Sequence, residues 1–188
     1  MESENDSILV AKAKEDPDVF GVLYERYVSR IYRYIYYRTG NRNDAEDLTA
    51  KTFFRALKGL PRYVDRGVPF TAWLYRIAHN VVANWLRDRS RRPVVNLEAV
   101  VVPSSDWHDP HGRAEAGEEI EQMLAAVRQL RDDRQELLIL KFVAELSNAE
   151  IGEVMGRSEG AIKSLYHRTL VTLREELVRE RHLPQEEV

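Results

Sequence analysis

Cysteine is absent from the 188 residues, which excludes disulfides, thiolate metal sites and thiol redox sensing within the chain. Glycine and proline are scarce, nine and seven, and fall between periodic segments, which favours an all-α protein. No apolar run approaches the ~20 residues that a membrane span needs. Met1 to Ser7 is polar and acidic, without the apolar core of a secretory signal. The expectation is therefore a soluble, cytoplasmic chain with no membrane insertion. Neither charge dominates: 28 basic against 31 acidic residues leave a formal net charge of −3, which argues against a simple basic nucleic-acid coat. There is no glycine-rich phosphate loop and no nucleophile arrangement, so neither a catalytic residue nor a cofactor is expected. Of the five histidines only His108 and His111 lie close together, around Asp109. Two histidines and an aspartate could hold zinc. They sit in a proline-containing acidic stretch without matching ligands, so a solvated linker is the expectation and no metal site is assigned.

What the chain does have is sorted charge. Arg62 to Arg92 carries seven arginines against two aspartates, whereas Pro93 to Gln122 carries seven acids against one arginine. Helical periodicity follows the same division. A helix capped by Asp16-Pro17 is expected to reach Thr39 and end at Gly40, with Phe20, Leu23, Tyr27, Ile31 and Tyr34 on one face. Asn43 to Glu46 reads as a capping box opening a helix through Leu57, with Leu48, Phe53, Ala56 and Leu57 buried. Pro69 then starts a third long helix to about Arg91. Residues 92–112, with three prolines and no sustained period, read as a linker. Helical spacing returns with segments over 115–130 and about 132–144, then a pair joined at Gly156. These boundaries give two small helical domains, 1–92 and 113–188, joined by an acidic, Pro-containing linker over 93–112.

The pair around Gly156 is the most specific local pattern. Ser147-Asn148-Ala149-Glu150 is a capping box, Gly156 suits a left-handed helix end, and Ser158 caps a longer helix to about Arg179. That is the layout of a helix-turn-helix. Ile151, Val154 and Met155 would face inward from the first helix, and Ile162, Leu165, Thr169 and Leu173 from the second. The opposite face carries Glu159, Lys163, Ser164, His167 and Arg168, groups able to bond base edges or phosphates in a major groove. An ordinary helical hairpin with a solvated face is the alternative.

A second constellation runs from Phe70 to Arg92. Phe70, Trp73 and Tyr75 stand at its start, and Arg87, Arg89, Arg91 and Arg92 at its end. Arginines attract phosphates, and unstacked bases rest on aromatic rings. Asn80 and Asn84, four residues apart, share one helix face and each offers a donor and an acceptor. Core packing is the competing role for Phe70 and Trp73.

Taken in order, three segments resemble bacterial sigma factors of the extracytoplasmic-function group. Asp44 to Leu57 is similar to the polymerase-binding helix of that family. Phe70 to Arg92 resembles the part that melts and reads the −10 element, and Glu145 to Ser164 resembles the −35-reading helix-turn-helix. The resemblance implies a transcription initiation factor that binds core RNA polymerase and promoter DNA, with an anti-sigma protein as a further partner. It implies that Asp44, Glu46, Asp47, Leu48, Thr49 and Phe53 meet the polymerase. Asn80 would hold a flipped −10 base, with Phe70, Trp73, Asn84, Arg87, Arg89, Arg91 and Arg92 nearby on DNA. Arg157, Ser158, Glu159, Lys163, Ser164, His167 and Arg168 would meet the −35 groove. Two positions depart from the common pattern, His79 and Gly152. A glycine within a short helix is expected to cost ~1 kcal/mol relative to alanine.

A stand-alone helix-turn-helix regulator is the rival reading. It leaves the segments at Asp44 and Phe70 without a purpose. The acidic linker, under the family reading, would run near the path of nascent RNA, with Glu98, Asp106 and Asp109 supplying charge mimicry. No sensor is evident in the chain, so control is expected from a partner.

Overall fold

Good helix formers punctuated by well-placed caps give a chain whose regular elements, among the described residues, are all helical. The computed structural model describes residues 5–64, 67–88 and 122–181. Helix α1 spans Asp6–Glu15 and is capped by the Asn5 side chain, which accepts from the Ser7 amide. A 3₁₀ turn over Pro17–Val19 leads into α2, Phe20–Thr39, which ends at Gly40 in the left-handed conformation, φ 66°. α3 covers Arg42–Gly59 and α4 Phe70–Asp88. In the second half α5 is described over 122–129. α6, Asp132–Leu138, passes directly into a π-helical turn, Ile139–Val143. α7, Asn148–Met155, and α8, Glu159–Arg181, complete the chain.

α1 has no counterpart in the sequence-based expectation. Its amphipathic pattern is weak, yet Leu9, Val10 and Ala13 are buried. Asp6 ties it to α2 by accepting from Arg26 and from the Tyr27 hydroxyl. Burial and the neighbouring Asp6 push Tyr27 up to about 12. The cap of α3 also differs. Asn41, not Asn43, accepts from the Asp44 amide, because the chain is still extended at Asn41 and already helical at Arg42. α6 starts after Arg131, whose side chain makes no capping bond, and the π turn interrupts the simple helix expected to run to Ala144.

α2, α3 and α4 form the first half. Phe53 of α3 meets Phe20 and Tyr24 of α2 edge-on, at centroid distances of 6.4 and 4.8 Å. Leu57, expected inside, is exposed instead, since the buried stripe runs through Leu48, Thr49, Thr52, Phe53 and Ala56. In the second half Ile151, Val154, Ile162, Leu165 and Thr169 are buried, with Met155 and Leu173 partly so. The two halves pack against each other. α7 lies on α4, the π turn lies on α2, and the buried apolar residues of both halves form one continuous cluster. The proposed boundary residues 93–112, and with them His108, Asp109, His111, Glu98 and Asp106, lie outside the described residues.

Candidate nucleic-acid interface

The helix-turn-helix is built by local chemistry. Ser147 and Glu150 form the full capping box: Ser147 Oγ accepts from the Glu150 amide at 3.2 Å and Glu150 accepts from the Ser147 amide at 2.8 Å. Gly156 closes α7 at φ 65°, a conformation open to glycine at little cost. Ser158 Oγ accepts from the Ala161 amide at 3.2 Å and so starts α8. Gly152 turns out to be needed: a Cβ there would stand 2.6 Å from the Arg157 carbonyl oxygen. The close approach of that turn to α7 therefore reverses the expected ~1 kcal/mol advantage of alanine.

On the resulting surface Arg157, Ser158, Glu159, Lys163, Ser164, His167 and Arg168 are all exposed. Lys163 pairs with Glu159 at 2.7 Å, and Arg157 donates to Asp133 of α6 at 3.0 Å. Arg168 Nε donates back to the Ser164 carbonyl. These exposed pairs are worth little in water and exchange readily for phosphate.

α4 divides its face. Asn80, Asn84 and Arg87 are exposed, and Arg87 donates to Asn84 Oδ1 at 3.0 Å. Phe70 is only 4% exposed, packed against Tyr27 and Tyr63, and Trp73 is partly buried beside Tyr63 and Phe70. Both rings thus belong to the aromatic cluster that fixes the start of α4. Arg89, Arg91 and Arg92 lie outside the described residues. A recess between α1, α2 and the turn before α4 is walled by Tyr27, Tyr63 and Phe70, with Lys14 and Arg30 at its edge.

α3 separates its candidate residues in the same way. Asp44, Glu46 and Asp47 reach the surface, wholly or in part, whereas Leu48, Thr49 and Phe53 are buried. Thr49 spends its hydroxyl on the Ala45 carbonyl at 2.6 Å. The outer face presents two apolar groups, Phe54, which sequence reasoning passed over, and Leu57, which it expected to be buried. Phe54 is 58% exposed, with the Lys58 ammonium 4.3 Å from its ring centroid. Their signal was in the sequence: with Asp47 they fall at helical spacing opposite the Leu48–Thr52–Phe53–Ala56 stripe.

Residues 23–92 match region 2 of the sigma-70 family and residues 120–173 match its region 4. The chain is 39% identical over 166 residues to the extracytoplasmic-function sigma factor BldN of Streptomyces coelicolor, covering 88% of this chain and 63% of that one. It is 30% identical to SigW of Bacillus subtilis, covering 87% of this chain and 91% of SigW. The chain belongs to the extracytoplasmic-function sigma factors. It is a promoter-directing factor of the sigma-70 type, with region 2 in its first half and region 4 in its second. The fold agrees. The structure of CnrH in complex with the cytosolic domain of CnrY matches over 94% of this chain and 99% of that one, at 24% identity and a TM-score of 0.67. RpoE of Bartonella quintana in complex with the anti-sigma factor NepR matches over 84% and 96%, at 23% identity and a TM-score of 0.60. Among the described residues no helix of this sigma factor is long and apolar enough to cross a membrane.

Proposed function

We propose that this sigma factor acts in the cytoplasm, binds core polymerase through the outer face of α3, and reads promoters through α4 and α8. The polymerase face consists of Asp44, Glu46 and Asp47 with Phe54 and Leu57, an acidic and apolar ridge fitted to a basic partner with an apolar footing. Leu48, Thr49 and Phe53 hold that ridge in place from beneath. On α4, Asn80 and Asn84 read the −10 element, with Arg87 and, further along the chain, Arg89, Arg91 and Arg92 on phosphates. Phe70 and Trp73 set the position of α4. On α8, Ser158, Glu159, Lys163, Ser164, His167 and Arg168, with Arg157 before them, meet the −35 major groove.

The observation that carries this reading is the sorting of residues over the first turns of α8. Its apolar residues Ile162 and Leu165 point inward, and every −35 candidate is exposed. A stand-alone regulator shares that feature but has no use for an exposed Phe54 and Leu57 on a region 2 helix. The solved relatives CnrH and RpoE were captured with CnrY and with an anti-sigma factor. An anti-sigma protein is therefore proposed as the regulator here too. The division into units 1–92 and 113–188 around a linker is part of the same proposal. In vitro transcription with Asn80→Ala and Lys163→Ala tests the reading. Asn80→Ala should lose starts at promoters altered only in the −10 element less than wild type does. Lys163→Ala should be blunted in the same way for −35 changes. Equal sensitivity of both variants and wild type to every promoter change would refute the assignment.

A further inference from the structure

Helix α1 precedes the region 2 segment, which begins at residue 23. Its polar contacts nonetheless converge on one place, the start of α4. In its first turn Asp6 accepts from Arg26 and from the Tyr27 hydroxyl. The same hydroxyl lies 3.1 Å from Thr71 Oγ1, in the first turn of α4. A phenol has one proton, and the Asp6 carboxylate receives it, so Thr71 donates to Tyr27. One hydroxyl thus joins α1, α2 and α4. At the other end of α1, Lys14 Nζ donates to the Tyr63 carbonyl at 2.5 Å, in the connection between α3 and α4. The Tyr63 hydroxyl closes that connection by donating to the Val68 carbonyl at 3.0 Å, and its ring packs on Phe70 and Trp73.

Local chemistry leaves the start of α4 in need of such support. α1, α3, α7 and α8 each begin from a side chain that accepts from an early amide: Asn5, Asn41, Ser147 and Ser158. α4 begins after Pro69, whose carbonyl accepts from the Trp73 amide at 3.2 Å and whose ring has no acceptor to offer. No acidic residue stands in its first turn to meet the partial positive charge of the helix end. α1 holds this start from two sides, Thr71 through Tyr27 and Phe70 through Tyr63. The reading residues take their place from it. Asn80 follows Phe70 by about 15 Å along the same helix at ~1.5 Å per residue, and Asn84 lies one turn beyond. A tilt or rotation of the first turn is carried along the rod to that face.

α1 also buries Leu9, Val10 and Ala13, and that contact alone accounts for a helix packed at this place. Apolar burial has no direction, however, whereas a hydrogen bond fixes distance and angle. The burial keeps α1 in place, and the polar contacts determine where α4 begins. Lys14 is exposed, so its bond contributes little net stability, and its effect is to place the Tyr63 carbonyl. Tyr27 is 4% exposed, and its hydroxyl is held on both sides by partners from other helices.

We propose that Tyr27 and Lys14 are positioning residues for −10 recognition, through which α1 fixes the start of α4 and with it the placement of Asn80 and Asn84, an inference that rests on the promoter-reading assignment above. The first test does not depend on that assignment. Hydrogen exchange in the full chain, followed by mass spectrometry, compares the amides of residues 71–75 in α4 with those of 162–166 in α8. Tyr27→Phe and Lys14→Met should each speed exchange at the start of α4 about three- to tenfold, the size of one lost hydrogen bond, and leave α8 as it was. Lys14 is exposed, so its variant keeps the test valid where Tyr27→Phe misfolds. Exchange unchanged at α4, or equally faster in both helices, would overturn the brace. The second test is transcription with core polymerase from promoters altered in one element at a time. Both variants should lose about three- to tenfold of the wild-type preference for an intact −10 element and keep the preference for an intact −35 element. Lys14→Arg, which retains a donor, should restore the −10 preference. Equal loss at both elements, or none at either, would overturn the positioning role. If wild type itself shows no −10 preference, the promoter assignment fails, and the exchange measurement still decides the brace.

Discussion

The Tyr34 hydroxyl donates to Glu136 at 2.6 Å across the boundary between the region 2 and region 4 halves, and both residues are withdrawn from water. Burial and the adjacent carboxylate hold the Tyr34 phenol well above its ordinary pKa, so it remains a donor. Burial pushes Glu136 up, but the His79 hydrogen bond, the Arg38 charge and the Tyr34 hydroxyl outweigh it and hold the carboxyl at about 2. Burial likewise opposes the Arg38 charge, and Glu136 and Asp132 more than restore it. Tyr34→Phe removes one hydrogen bond to a buried charge and should destabilise the packed chain by about 1–3 kcal/mol. Urea unfolding of the full chain measures this.

The same group sets a dependence on acid. Its pKa is about 2 in the packed chain against an ordinary 4.5. The stabilisation it gives is therefore complete above pH 4.5 and is lost as pH falls toward 2. Tyr34 and Arg38 of α2, His79 of α4 and Asp132 on its own helix are the groups facing it. Between pH 4.5 and 2, wild type should lose more stability than Glu136→Gln does, read as the shift in urea midpoint. Parallel loss in both proteins would remove Glu136 from the account.

Gly152→Ala should lower the melting temperature and weaken −35 binding, although alanine is the better helix former. The added Cβ would meet the Arg157 carbonyl at 2.6 Å and push Ser158 and the start of α8 away. Thermal melting checks the first effect, and promoter titration with −35 variants checks the second.

Phe54→Ala should leave stability nearly unchanged, because the ring is mostly exposed. Its effect should fall on affinity for core polymerase, a loss of about 1–2 kcal/mol if Phe54 is an anchoring contact. Phe53→Ala should do the reverse and destabilise the fold by about 3–5 kcal/mol through a core cavity. Melting curves set beside polymerase-binding titrations distinguish the two neighbours.

Much of this was legible in the chain itself. Gly40 and Gly156 at helix ends, the Ser147–Glu150 box and the Ser158 cap were local signals, and the structure has each where its residue type implies. The polar face of α8 was legible for the same reason, since exposure on one helix follows from spacing alone. On α3 the spacing that hides Phe53 exposes Phe54 and leaves Leu57 outside the buried stripe. α1 escaped because its amphipathic signal is faint and its anchoring depends on Arg26 and Tyr27, far along the chain. The polar contact between the halves was invisible for a stronger reason. Tyr34 and Glu136 are 102 residues apart; Tyr34 alone reads as one more member of an apolar helix face, and Glu136 as an ordinary charged residue. The π turn was not legible either, as nothing in the residues Ile139 to Val143 departs from an ordinary helical pattern.

The central claim is that this chain directs polymerase to promoters through two reading faces, one in each half. Core polymerase, with and without the protein, transcribing a genomic DNA library, with RNA 5′ ends mapped, tests it most directly. New start sites sharing a −10 and a −35 motif at a fixed spacing are the predicted result. No new starts and no binding to core polymerase would contradict it.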